Sequence, residues 1–243
     1  MFILLVISIF VLVNQPIGGE FQVLENTYAL FGLGLNSSVL ILSIGLYLLY
    51  RWIKGGRENS SQLVWGICWI LYSWTFIGHI LRALGVIWAN DKIPTIFFMF
   101  RWVMIIFAAG LYYGISHILT ENKKIQIIPS FFIFGVGISW FIIGLFGIGN
   151  IETTMYVFLY CIWSPILFSI AYTFYIYGKD AKMKSPYLIS LGFIGIGITY
   201  LAWAPWHLIS YLYMIWYFLF QLSLVPVLLG FVLLTSEFKK NKS

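Results

Sequence analysis

The sequence predicts an all-α, polytopic membrane protein: a bundle of seven transmembrane helices, N-terminus outside and C-terminus inside. Three features carry that expectation. The chain is 61% hydrophobic and only 9% charged, against roughly 25% charged residues in soluble domains. Its apolar residues gather into seven nearly continuous runs, each close to the ~20 residues that cross a hydrocarbon core. Such runs suit helices, because barrel strands would alternate apolar and polar positions. Finally, the basic residues cluster as Arg51/Lys54/Arg57, Lys123/Lys124, Lys179/Lys182/Lys184 and Lys239/Lys240/Lys242. These patches fall on alternate connections, with only Lys92 on the others. That asymmetry is the positive-inside pattern.

Residues 1–27 form an N-terminal segment, in which the apolar run 2–13 is too short to span comfortably. It reads as signal-like or re-entrant, although no basic residue precedes it. The membrane domain covers 28–236, with spans expected at 28–50, 62–88, 94–119, 126–147, 153–177, 186–209 and 212–235. A short basic tail, 237–243, follows on the inside. Pro94 and Pro186 stand near helix starts, where the missing N–H costs nothing. Ser185 is the expected N-cap of the sixth helix. Pro165, Pro205 and Pro226 lie inside the last three helices and are expected to bend them. Gly135 and Gly137 in the fourth span, and Gly192, Gly195 and Gly197 in the sixth, predict close helix contacts.

Sorted by side, the net charge of +6 resolves into an inner face of +7, an outer face of −3, and two cations within spans, Arg82 and Arg101. A cationic inner face suits anionic lipid headgroups and argues against reading the charge as a nucleic-acid footprint. Ionisable residues inside spans are costly and are functional candidates by default. Alternation of helix direction puts His79 and Arg82 one turn apart in the outer half of the second helix. Arg101 then lies near the outer end of the third, with Cys161 and Trp163 at similar depth in the fifth. Trp203, Trp206 and His207 fall near the outer end of the sixth, and Tyr217 and Gln221 in the outer half of the seventh. The candidate ligand-binding set is therefore His79, Arg82, Arg101, Trp203, Trp206, His207, Tyr217 and Gln221. Together they would form an outward pocket, polar on one wall and aromatic on the other, for an anionic or amphipathic small molecule. The competing reading makes the arginines structural, snorkelling to the interface or pairing with Asp91, Glu152 or Glu25.

Arg101-Trp102 in the third span and Trp203-Ala204-Pro205-Trp206 in the sixth resemble, faintly, microbial rhodopsins, whose seven-helix plan matches this one. The resemblance implies a sensory architecture and not a pigment. The stretch from Tyr211 to Ser236 holds no lysine for a Schiff base, and the third span lacks carboxylates. In plan the chain is similar to the seven-helix sensory regions that precede bacterial and archaeal signalling domains.

The expected function is thus sensor- or receptor-like, at the cell membrane as a multi-pass protein. Its expected partners are the lipid bilayer, an anionic or amphipathic small ligand, and a separate cytoplasmic or membrane signalling partner that reads the basic end; nucleic acid is excluded. A small-solute or lipid transporter is the alternative. A second alternative is a membrane-embedded thiol-dependent transferase or hydrolase, in which Cys161 would be activated by a neighbouring histidine and arginine. Membrane-embedded sortase-like transpeptidases use such a trio, but their arginine follows the cysteine. No catalytic residue, metal ligand or cofactor is assigned: there is no H-E-x-x-H, no Cys/His cluster and no paired carboxylates.

Overall fold

The structure, a computed structural model, describes residues 27–57, 59–77, 80, 102–145, 157–202 and 212–240. All regular structure among them is helical. Seven α-helices follow in order: α1 Thr27–Lys54, α2 Ser60–Ser73, α3 Trp102–Leu119, α4 Lys123–Leu145, α5 Ser164–Ala181, α6 Ser185–Leu201 and α7 Leu212–Lys240. Five stretches are long and apolar enough to cross a membrane, and α6 is a shorter apolar helix. The N-terminal segment 1–26 and the expected outer connections lie outside the described residues.

Local chemistry explains the helix ends. Asn59 caps α2, its Oδ1 accepting the backbone N–H groups of Ser61 and Gln62. Asn122 Oδ1 accepts the Lys124 N–H at the start of α4. That start lies three residues before the expected one, so Pro129 sits inside the helix instead of in its first turn. Ser185 does not act as the N-cap of α6. It is the first helical residue, and the carboxylate of Glu237 from α7 accepts the Lys184 N–H, the Ser185 N–H and the Ser185 hydroxyl. A carboxylate serves the positive end of a helix better than a hydroxyl does. Helices α1, α5 and α7 overrun their expected spans, ending at Lys54, Ala181 and Lys240. A helix has no reason to stop at the membrane surface when its last turn carries cations that favour the dipole's negative end.

Short turns join α1 to α2, α3 to α4 and α5 to α6, which collects their basic residues at one end of the bundle. Contacts across helices agree. The hydroxyl of Ser60 lies 3.2 Å from His117 Nε2, Tyr47 OH lies 3.0 Å from Thr235 Oγ1, and Glu237 closes on Ser185 at 2.7 Å. At this basic end α1, α2, α3, α6 and α7 are therefore level.

Six helices close a ring. Helix α1 packs between α2 and α7, α2 meets α3, α3 meets α5, and α6 joins α5 to α7. Helix α4 stands outside, held by α3 and by Trp140 stacked on Phe158 at 4.6 Å. Only 17% of its span is buried, against 50% for α1 and α3, so most of α4 faces the surroundings. The α6–α7 seam is tight because α6 offers glycine: a Cβ on Gly192 would run into Val227 and lie 2.8 Å from Ser223 O. Gly137 likewise abuts Ile105, whereas Gly135 has nothing near its missing side chain. The expected close approach is made by one glycine of that pair.

Candidate functional site

Aromatic side chains fill the centre of the ring in a column. Nearest the basic end, Trp65 of α2 meets Phe174 of α5 and Phe231 of α7 at 5.8 and 5.9 Å between centroids. One turn further, Trp69 packs edge-on to Phe107 of α3 at 4.8 Å. The next layer stacks Tyr72 on Phe107 at 4.3 Å. Here Trp163 touches both rings, each at 5.4 Å. The hydroxyls of Tyr72 and Tyr200 hydrogen-bond to each other across the bundle. Phe76, Trp216, Tyr217 and Phe220 continue the column away from the basic end.

This column carries polar atoms without partners. Trp69 and Trp163 are buried, and neither indole N–H has a hydrogen-bond acceptor among the described residues; the same holds for the hydroxyls of Thr75 and Ser164. Buried indole N–H groups ordinarily find an acceptor, and in a membrane interior the shortfall is not made up by bulk water. Both indoles pack against the same Tyr72–Phe107 stack, Trp69 at 6.2 and 4.8 Å and Trp163 at 5.4 Å from each ring.

The backbone beside Trp163 is also irregular. Residues Leu159–Trp163 form a π-helical turn, with the Ser164 N–H reaching back five residues to Leu159 O. Pro165 accounts for it: the ring has no N–H for the Cys161 carbonyl and crowds it, so the preceding turn widens. The distortion observed at the proline expected to bend the fifth helix is this widened turn. Turns of this kind occur mostly singly and often at functional sites.

Of the eight ligand-binding candidates, the structure describes Tyr217 and Gln221. Both are fully buried. Tyr217 joins the aromatic column beside Phe76 and Trp216. Gln221 faces α1: its Oε1 accepts from Asn36 Nδ2 at 2.7 Å, and its Nε2 donates to Leu33 O and Ser37 Oγ at 3.1 and 3.0 Å. His79, Arg82, Arg101, Trp203, Trp206 and His207 lie outside the described residues. Cys161 is exposed within the π-helical turn, and Cys68 is buried, its Sγ–H directed at Ile106 O at 3.8 Å. No group of three or more His, Cys, Asp or Glu able to hold a metal occurs among the described residues.

Sequence reasoning located Trp163 by depth and overlooked Trp69, Tyr72 and Tyr200. A signal existed: Trp65, Trp69, Tyr72 and Phe76 recur every three or four residues, which puts three large rings on one face of α2 and the fourth in the 3-10 turn that continues it.

A separate cavity of about 240 Å³ opens at the basic end. Its walls include Asn59, Ser61, Gln62, Thr173 and Tyr177 beside Trp65, and the buried Ser61 hydroxyl has no partner among the described residues. The Trp65–Phe174–Phe231 cluster closes its roof and separates it from the column above. No family model, curated protein or solved structure matches the chain.

Proposed function

We propose that this is a multi-pass protein of the cell membrane, outside at its N-terminus and inside at its C-terminus, that works as a sensor or receptor for a small anionic or amphipathic ligand. The ligand site lies in the outer half of the bundle, with the aromatic column as its floor. The observation that carries this reading is the pair of buried indole N–H groups, Trp69 and Trp163, which have no acceptor among the described residues. An indole N–H can only donate, so the complement of this locus is a group rich in acceptor oxygens, such as a carboxylate or phosphate. In sequence, Arg82 and Arg101 flank the stretches that supply the column, and they match the same complement. A ligand held between α2, α3, the π-helical turn and α6 would bias how these helices pack. That displacement is what a partner at the basic end would read.

The test is a thermal-shift panel of amphipathic carboxylates and phosphates on the purified protein, repeated on Trp163→Phe and Arg101→Gln. At least one compound is expected to raise the wild-type melting temperature and to lose that effect in both variants. Equal responses from all three proteins would refute the site.

The cavity at the basic end favours transport as the second reading, since a solute path needs polar groups in the inner half. In that case Trp65→Ala, which removes the roof, should raise uptake of a permeant solute into proteoliposomes. A sensor would show no flux with either protein.

A further inference from the structure

Because α4 stands outside the ring, a groove of about 530 Å³ runs between α2, α3 and α4. Its walls are almost wholly apolar; Val64, Cys68, Ala109, Ile127, Phe131 and Phe134 define it. Ala109 and Gly110 keep the α3 wall low, and a Cβ on Gly110 would strike Cys68 Sγ, so the floor is two helices in contact. The groove begins about one turn inside the bundle from the basic end and climbs toward its middle. It opens sideways, into the space that hydrocarbon occupies around a membrane-spanning bundle.

The mouth has the opposite character. Lys123 and Lys124 occupy the first turn of α4 and are exposed, one turn before the groove residue Ile127 and two before Phe131, on the same side of the helix. His117, exposed at the end of α3 and stacked on Tyr113 at 6.0 Å, lies at the same basic end, 3.2 Å from the Ser60 hydroxyl. Across this part of the structure acidic groups are sparse: Glu121 is the one carboxylate in the connecting turn. An apolar trough leading down from two lysines is the complement of a single molecule with a hydrocarbon tail and an anionic head.

We propose that this groove is a binding site for one anionic phospholipid of the leaflet at the basic end, an acyl chain in the trough and the phosphate at Lys123 and Lys124. A phospholipid fits better than a transmembrane partner helix. The groove is shallow and open along its length, which suits a single acyl chain, and its charge lies at one end only, at headgroup level. This site is distinct from the aromatic column, and its test does not depend on the ligand proposed there. Basic residues near a surface contribute on the order of fivefold each in affinity for anionic lipid, so the lysine pair predicts a preference well above tenfold.

The experiment is native mass spectrometry of the full chain, extracted in mild detergent and supplied with phosphatidylglycerol, phosphatidylcholine or oleate. Wild type is expected to retain one phosphatidylglycerol in clear preference to phosphatidylcholine, and to retain oleate poorly. Ala109→Phe fills the trough from α3 and should abolish retention; Ser130→Phe fills it from α4 and serves if the first variant fails to fold. Replacing Lys123 and Lys124 with glutamine should remove the preference and leave weak binding of both phospholipids. Equal retention of the two phospholipids by wild type, stronger retention of oleate, or full retention by a folded trough-filling variant overturns the proposal. Ready disulfide-linked dimers from Ser130→Cys would overturn it too, by assigning the groove to a second copy.

Discussion

Gln221→Met tests how the ring is held together. The side chain keeps its length and loses its polar end, so the three hydrogen bonds to Asn36, Leu33 and Ser37 vanish with little change in volume. Hydrogen bonds between helices inside membrane proteins average about 0.6 kcal/mol each, which puts the three at about 2 kcal/mol. The partners do not suffer equally. Leu33 O still accepts from the Ser37 hydroxyl at 2.8 Å, whereas Asn36, itself 2% exposed, loses its 2.7 Å bond to the Gln221 amide oxygen. Removing one partner of a buried pair adds a desolvation cost of about 1 kcal/mol or more, so the variant should lose roughly 2–3 kcal/mol.

Adding Asn36→Leu should return part of that loss, because replacing both partners with apolar groups of similar shape approaches neutrality. The coupling in the Gln221→Met/Asn36→Leu cycle should be about 1 kcal/mol, within the range for residues in direct contact. Unfolding by sodium dodecyl sulfate from mixed micelles, followed by tryptophan fluorescence, measures all four proteins. A loss below about 0.5 kcal/mol for Gln221→Met, or strict additivity of the two substitutions, would refute the clamp. The same variant also bears on the ligand site: if Gln221 holds α1 and not a ligand, ligand affinity should follow the Trp163→Phe variant and ignore this one.

Three further outcomes follow from the packing and the charge pattern. Gly192→Leu should destabilise by about 1–3 kcal/mol through overpacking, since even a methyl there runs into Val227, while Gly135→Leu should be tolerated in the same unfolding assay. N-ethylmaleimide on the folded protein in detergent should add once, at exposed Cys161, and reach buried Cys68 only after denaturation, as read by intact mass. In a variant without native cysteines, Lys124→Cys should resist a membrane-impermeant thiol reagent on whole cells and label after permeabilisation; labelling of intact cells would reverse the topology.

The helical plan was legible because it rests on quantities a sequence displays directly: run length, apolar continuity and the spacing of lysine patches. Helix ends at the basic side were less so. The role of Ser185 depends on Glu237, fifty-two positions away, and no local rule connects them. Pro165 announced a distortion without saying which, and only the Leu159–Ser164 register identifies a π-helical turn. The candidate site was read from charges in the outer layer. The aromatic column depends on which rings of five helices meet, and Tyr72 with Tyr200 is a long-range pair that composition cannot reveal. Gln221 shows the same limit from the other direction: a polar residue in a span signals importance, but its partner decides whether it serves a ligand or a neighbouring helix.

The position of α4 connects the lipid groove to the aromatic column. In hydrocarbon, apolar surface alone does not drive helices together, so association relies on close packing and polar contacts. The six ring helices have both: glycine against Ser223 and Val227, the Gln221–Asn36 clamp, the Glu237 cap and the tyrosine pair. Helix α4 has little of either. Gly137 and Trp140 give it two points of close contact, while Phe131 and Phe132 are each 70% exposed. A helix so lightly held is the part of the bundle whose position a lipid can change at least cost, because filling the groove adds contacts that protein does not supply. Occupancy of the groove should therefore fix α4 against α3, and α3 carries Phe107 into the centre of the aromatic column. On that argument Ala109→Phe, by substituting for the acyl chain, should hold α3 and α4 in their lipid-bound arrangement and make ligand response at Trp163 insensitive to added phosphatidylglycerol.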